Sequence, residues 1–256
     1  MNITTFNVNS VRARLERLLA WLDDRKPDVV CLQELKCLDT ELPRAELESR
    51  GYHVASYGQK SWNGVAILSR TPITGVEVDL PWTGDVQARG ITGVVDGIRI
   101  VNLYVVNGQD LQSDKYPYKL EWLRKLHEWV APRVGEGPLV VCGDFNIAPA
   151  DDDVYDPAKW GEEVLCSPAE RAAFNGLLGL GLTDSFRKLH PKRRQFTWWD
   201  YRTSGFDQGK GVRIDHHLVN AALWPRVLDV TVDMVERGQK QASDHAPVTL
   251  HLVRAR

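Results

Sequence analysis

Cysteine is scarce. Cys31, Cys37, Cys142 and Cys166 are the only four in 256 residues, and they form neither a Cys-x-x-Cys pair nor a Cys/His set with zinc spacing. A disulfide scaffold and a zinc ribbon are thereby excluded, and four free thiols point to a reducing, cytoplasmic setting. Long apolar runs are missing too: none approaches the ~18 residues needed to span a bilayer. The opening MNITTFNVNS lacks a basic segment followed by an apolar one, so it does not read as a signal peptide, and no membrane partner is expected. Nor is there an excess of charge. Thirty-two Lys and Arg against 34 Asp and Glu leave a formal net charge of -2, which excludes a protein held to nucleic acid by uniform positive charge. Internal repeats, low-complexity stretches and linkers are absent. What is present is 43% hydrophobic residues and nine Trp, enough for a sizeable core. At about 150 residues per domain the length allows one large domain or two small ones.

Short β-like runs alternate with helical patterns. Strands are predicted at Ile3–Asn7, Asp28–Leu32, Val65–Ser69, Ile91–Val95, Ile98–Val106, Leu139–Cys142, Phe196–Trp199, Val212–Val219, Val227–Val235 and Val248–Val253. Asp96-Gly97 is a type I′ hairpin signal between two of them. Val11, Leu15, Leu18, Leu19 and Leu22 recur at helical spacing behind Ser10, an expected N-cap. Further helices are expected at Tyr118–Val130 and at Pro168–Leu180, where Pro168 suits the first helical position. Mixed hairpins and helices do not fit a pure βαβ repeat. They fit one α/β (α+β) domain over residues 1–256, with two sheets face to face and helices outside. The segments 79–90, 107–117, 147–165 and 200–211 read as functional loops.

Polar residues recur where the β-like runs stop: Asn7, Glu34, Tyr104, Asn107, Asp144, Asn146, Asp215, Asp244 and His245. One such residue is usually a cap or a turn former. Six strand ends all delivering Asn, Asp, Glu or His can instead converge on one cleft. Glu34 and Asp244 are hard oxygen donors and Asn7 adds a neutral oxygen, a set that suits Mg²⁺ or Mn²⁺. Asp144 and Asn146, two apart, would share one side of an extended segment. There a carboxylate can align a water while an amide donates to a phosphate oxygen. Asp215 can orient His245, whose protonated ring would stabilise a pentacovalent phosphate. The implied reaction is metal-assisted hydrolysis of a phosphate ester.

The ordered motifs resemble the exonuclease III / class II abasic-site endonuclease family. They are PDVVCLQELK from Pro27, GDFN from Gly143, DSFRK from Asp184 followed by FTWW from Phe196, GVRID from Gly211 and SDHAP from Ser243. The resemblance implies a four-layered, DNase I-like sandwich and Mg²⁺-dependent hydrolysis of DNA phosphodiesters, with Mn²⁺ as a possible substitute. The activities implied are incision 5′ to abasic sites and 3′→5′ exonuclease action with 3′-phosphatase or 3′-phosphodiesterase activity in base excision repair. It makes Glu34 the principal metal ligand, with Asn7 and Asp244 nearby. Asp144 resembles the residue that activates water, and Asn146 and Tyr104 those beside the scissile phosphate. His245, oriented by Asp215, resembles the transition-state stabiliser. A two-metal arrangement would place Asp144, Asn146 and His245 around a second ion, and both arrangements stay open.

Lys36, two positions beyond Glu34, can reach a phosphate. Trp62 and Asn63 stand where the family places groove contacts, and Arg89, Asn107 and Lys115 lie in or beside long loops. Trp198 resembles an aromatic at the pocket for an extruded abasic sugar, with Ile214 in a neighbouring motif; extrusion is cheap where a base is missing. Leu165 stands where a small residue is common. Its branched side chain would hinder an internal flipped sugar yet admit a frayed 3′ end, favouring 3′-end processing over abasic-site incision. The expected partner is double-stranded DNA with abasic sites or 3′ ends, bound by a monomer. Residues 187–213 carry eight Lys and Arg against two acids, while residues 144–163 carry seven acids, so a basic DNA-facing stretch and an acidic cluster can cancel in the total. Two other readings are a phosphohydrolase acting on inositol phosphates or sphingolipids and an inactive DNA-binding module.

Overall fold

The computed structural model describes residues 1–81, 84 and 86–254. The strands are β1 Asn2–Asn7, β2 Val29–Gln33, β3 His53–Tyr57, β4 Val65–Ser69, β5 Thr74–Val78, β6 Gly90–Val95, β7 Ile98–Tyr104, β8 Leu139–Asp144, β9 Leu182–Asp184, β10 Asp215–Asn220, β11 Val227–Val232 and β12 Val248–Leu252. The helices are α1 Leu15–Arg25, α2 Arg44–Glu48, α3 Lys115–Val130, α4 Pro157–Trp160, α5 Pro168–Gly179, α6 Ser185–Leu189 and α7 Met234–Arg237. Two six-stranded sheets run β11-β12-β1-β2-β4-β3 and β5-β6-β7-β8-β10-β9. Both are mixed: β1 and β2 are parallel in the first, β7 and β8 in the second, and the other pairings are antiparallel.

Alternation along each strand sorts side chains into layers. Ile3, Val29, Cys31, Val65 and Ile67 of one sheet meet Ile91, Ile98, Ile100, Val140 and Cys142 of the other in a buried central core. The opposite face of the first sheet packs Phe6, Val30 and Leu32 against Leu18, Trp21 and Leu22 of α1 and Leu47 of α2. That of the second packs Val101, Val141 and Leu218 against Trp122, Leu126, Phe174 and Leu177 of α3 and α5. The result is the expected four-layered sandwich. No helix among the described residues is long and apolar enough to cross a membrane.

Several boundaries differ from the sequence reading. Ser10 does not cap α1: it is left-handed (φ 84°), and residues 11–14 form a turn before the helix starts at Leu15. Phe196–Trp199 is not a strand, because Trp198 makes isolated bridges to Val212 and His245 instead of joining a sheet. The run from Val212 becomes a strand only at Asp215. The run from Val227 stops at Val232, since Asp233 accepts from Glu236 N and starts α7. Strands β3, β5 and β9 went unread: the first two are sheet edges with partly or fully exposed side chains, and the third has three residues. The hairpin is as expected, with Asp96 and Gly97 both left-handed (φ 47° and 75°). The loop 147–165 holds α4 and a 3₁₀ turn at Asp151–Asp153, and the loop 107–117 ends in the first turn of α3. Residues 82, 83 and 85 of the loop 79–90 lie outside the described residues.

Candidate active site

The two parallel pairs end at the same edge of the sandwich, and that places the polar residues. Asn7 ends β1, the turn after β2 presents Glu34, Tyr104 ends β7 and Asp144 ends β8. Strand β10 runs antiparallel to β8, so Asp215 at its start lies opposite Asp144, itself level with Tyr104 on the other side. Asp144 can reach this edge because Gly143 precedes it: a Cβ there would lie 2.0 Å from the Leu103 carbonyl oxygen. Asp244 and His245 enter on the segment before β12.

The contacts are close. The Asn7 amide Nδ2 donates to Glu34 Oε1 and to Asp144 Oδ2, both at 2.9 Å. Asn7 Oδ1 accepts from Asn9 N at 3.0 Å, so Asn7 turns its nitrogen, not its oxygen, toward the carboxylates. Glu34, Asp144 and His245 each offer a ligand atom within 4.8 Å of the others, a spacing that can hold a metal ion. Asp244 joins more peripherally: Oδ1 accepts from Asn9 Nδ2 at 2.9 Å and Oδ2 from Trp198 Nε1 at 3.0 Å. Lys36 Nζ lies 2.7 Å from Glu34 Oε2 and donates to Asn9 Oδ1 at 2.6 Å.

His245 Nδ1 lies 2.9 Å from Asp215 Oδ2, and Nε2 lies 3.7 Å from Asp144 Oδ2. Burial alone would lower the His245 pKa, but the flanking carboxylates of Asp215 and Asp144 outweigh it and raise it to about 10. Burial lifts the Asp144 carboxyl to about 7, helped by Asp215 and Glu34 and opposed by His245 and the Asn7 hydrogen bond. The Tyr104 phenol is raised by burial and by the negative charge of Glu34 and Asp144, so it remains a neutral donor. The Arg89 guanidinium stacks 5.0 Å from the Tyr104 ring centroid.

Asp144 and Asn146 do not share an extended segment. Asn146 is left-handed (φ 49°), and its N–H turns back to Asp144 Oδ1 at 2.9 Å. Its amide is oriented by donating to the Val105 carbonyl at 3.0 Å and accepting from Asn107 Nδ2 at 3.0 Å. Leu165 and Ile214 are buried together, with Trp198 packed against them. Asn63 is buried and donates to Gln59, while neighbouring Trp62 is 69% exposed. Lys115 is exposed at the start of α3. Half of the fourteen left-handed non-glycine residues among those described sit here: Asn9, Ser10, Glu34, Lys36, Asn63, Asn146 and Leu165. Such strain gathers where function needs an awkward backbone.

Two arrangements escaped sequence reading. Two of the eight cations of the basic stretch are used internally. Arg213 is buried and donates to both Asp153 and Asp184, with His216 Nδ1 3.0 Å from its NH1, and Arg187 also pairs with Asp153. Arg213 is closed to any partner, while Lys188, Lys192, Arg193, Arg194, Arg202 and Lys210 remain exposed. The other is a buried pair, Lys119 and Glu170. The signals for it were a lysine in the apolar stripe of α3 (Lys119, Trp122, Leu123, Leu126) and the Ser167-x-x-Glu170 capping box of α5.

Carboxylates, an oriented imidazole and amide donors at the shared edge of two sheets define the class of a phosphoester hydrolase. The family described as endonuclease/exonuclease/phosphatase matches residues 4–245, and the chain belongs to it. Exodeoxyribonuclease III of Haemophilus influenzae is 35% identical over 262 residues, covering 97% of this chain and 98% of the relative. Among solved structures, the 3′ phosphatase NExo from Neisseria, bound to a product DNA hairpin, has a TM-score of 0.97 and 46% identity, covering 99% of this chain and all of that one. An AP endonuclease from Archaeoglobus fulgidus has a TM-score of 0.94 and 37% identity, covering 98% of this chain and 99% of that one.

Proposed function

We propose that the chain is a DNA repair nuclease that hydrolyses phosphate esters of DNA, with abasic sites and 3′ ends as substrates. The observation that carries this reading is the Glu34, Asp144 and His245 group at the common edge of the two sheets. Likeness to exodeoxyribonuclease III and to NExo supports DNA as the substrate. Because both sheets supply the group, residues 1–256 act as one catalytic domain. We take it to work as a cytoplasmic monomer.

The donor set fits a hard divalent cation, since Glu34 and Asp144 offer carboxylate oxygens and no thiolate intrudes. Glu34 and Asp144 would hold Mg²⁺, or Mn²⁺ in its place, with Asp244 beyond them. When bound, the ion neutralises phosphate charge and lowers the cost of attack at phosphorus. Asp144 holds the attacking water and takes its proton as the new P–O bond forms and the ester bond breaks. Asn146 and Asn107 each use one amide hydrogen internally, leaving another for a phosphate oxygen. Tyr104, a neutral phenol beside Glu34 and Asp144, donates as well. His245, kept protonated by Asp215, faces the charge that builds on phosphate. Lys36, Arg89 and Lys115 hold backbone phosphates, Trp62 and Asn63 meet the groove, and Trp198 and Ile214 line the pocket.

A second reading concerns preference among substrates. Leu165 is buried beside Trp198 and Ile214 and left-handed at φ 79°, so its side chain fills space at the pocket. This supports 3′-end processing over internal abasic-site incision, as does the likeness to the Neisseria phosphatase. The test is a panel of duplex DNA with an abasic site or a 3′-phosphate, and a soluble inositol phosphate, each in Mg²⁺ and Mn²⁺, with wild type and Leu165→Gly. DNA cleavage is expected from wild type and a gain in abasic-site incision from the variant. Activity confined to inositol phosphate would refute the nuclease reading. Strong wild-type incision unchanged in the variant would refute the role of Leu165.

A further inference from the structure

Lys119 and Glu170 have fully buried side chains and form a tight ion pair between α3 and α5. A buried pair of this kind is a poor source of stability, because each charge loses its hydration. Its other hydrogen bonds lead to the site. Lys119 Nζ also donates to the Asn146 carbonyl at 2.7 Å and to the Asn107 carbonyl at 3.1 Å. Glu170 Oε1 accepts from Leu165 N at 3.1 Å, while Oε2 accepts from Ser167 N at 3.0 Å and Ser167 Oγ at 2.6 Å. All three ammonium hydrogens and both carboxylate oxygens are thus engaged. The residues held on either side, Asn146 and Leu165, are both left-handed (φ 49° and 79°), a conformation that non-glycine residues keep only when their surroundings impose it. An apolar pair could fill the same volume but could not hold either backbone.

We propose that Lys119 and Glu170 are positioning residues that tie the phosphate-facing amides of Asn107 and Asn146 to the pocket wall at Leu165, and so set both turnover and the preference between 3′ ends and internal abasic sites. The inference rests on the nuclease reading. Neither side chain touches substrate; each acts through the backbone it holds.

The test replaces both charges together, Lys119→Met with Glu170→Leu, so that no lone charge is left buried. Folding is followed by circular dichroism, and kcat and KM are measured on duplex DNA with a 3′-phosphate and with an internal abasic site. The expected result is a folded protein whose kcat falls at least about tenfold while KM stays within about threefold, and whose preference between substrates shifts at least about threefold. A purely structural pair would lower the melting temperature and leave kcat and preference unchanged. A folded double variant with both within about twofold of wild type would overturn the proposal. If the double variant does not fold, Glu170→Gln, which keeps the volume, is read the same way, and the same null result overturns it. Inactivity of wild type on both DNAs would refute the nuclease reading instead.

Discussion

Replacing His217 with leucine should stabilise the protein, and more so in acid. His217 lies on β10 opposite Cys142, on the strand face that Asp215 shares, and is fully buried. It is a core residue but not a satisfied one: neither ring nitrogen has a hydrogen bond of ordinary geometry. Burial lowers its pKa from 6.5 to about 3, helped by His216 and His251 and opposed by the Ile3 backbone and Asp184. The unfolded chain takes up a proton below pH 6.5 that the folded ring refuses until about pH 3. Stability is therefore complete above 6.5 and is lost as the pH falls toward 3. At 1.36 kcal/mol per pH unit the loss is about 2 kcal/mol at pH 5. Leucine removes this dependence and also an unpaired polar ring, worth about 1–2 kcal/mol at any pH. Urea unfolding at about pH 7.5 and 5 should show the variant more stable by about 1–2 kcal/mol at the first and about 3–4 kcal/mol at the second. Comparing each variant with wild type at one pH cancels the other titrating groups, His216 included. A difference that does not grow between the two pH values would show that buried His217 does not resist protonation.

Two further substitutions probe the frame and the rim. Asn102 donates to the Leu32 and Ala66 carbonyls at 2.9 and 2.8 Å and accepts from Gln33 at 2.7 Å, bridging the sheets beneath Glu34 and Tyr104. Asn102→Ala should cost about 3 kcal/mol by leaving these groups buried and unpaired; denaturant unfolding measures it, and a loss below about 1 kcal/mol would contradict the bridge. Trp62, with its side chain in solvent, should affect binding alone. Trp62→Ala should weaken affinity for duplex DNA by roughly fivefold, or about 1 kcal/mol, in a fluorescence anisotropy titration, with the melting temperature unchanged.

The site was more legible than the fold around it. Asn7, Glu34, Tyr104 and Asp144 stand out because each interrupts an apolar run where a strand ends, and parallel pairing brings such ends together; Asp215 starts β10 and is set opposite Asp144 by antiparallel pairing. Strand β5 is invisible for the opposite reason: its side chains are all exposed, so neither alternation nor burial marks it. Phe196–Trp199 has strand composition, but its partners are single residues distant in sequence, which no local pattern encodes. Lys119 and Arg213 mislead because a cation reads as surface unless its acid is known, and Glu170 and Asp153 lie 51 and 60 residues away. Acidic and basic segments that look separate along the chain also meet in space, as Asp153 does with Arg187 and Arg213.

Every role given to this chain depends on the group at the sheet edge performing phosphoester hydrolysis. The direct measurement is the rate of phosphate release from duplex DNA bearing a 3′-phosphate, in Mg²⁺ at saturating DNA, for wild type and for Asp144→Asn. The substitution keeps the shape of Asp144, and removes the carboxylate that takes the proton from water and that would share the metal ion with Glu34. A loss of about a thousandfold in kcat is expected, with DNA affinity retained. Release by the purified, folded variant at a rate within about tenfold of wild type would contradict it.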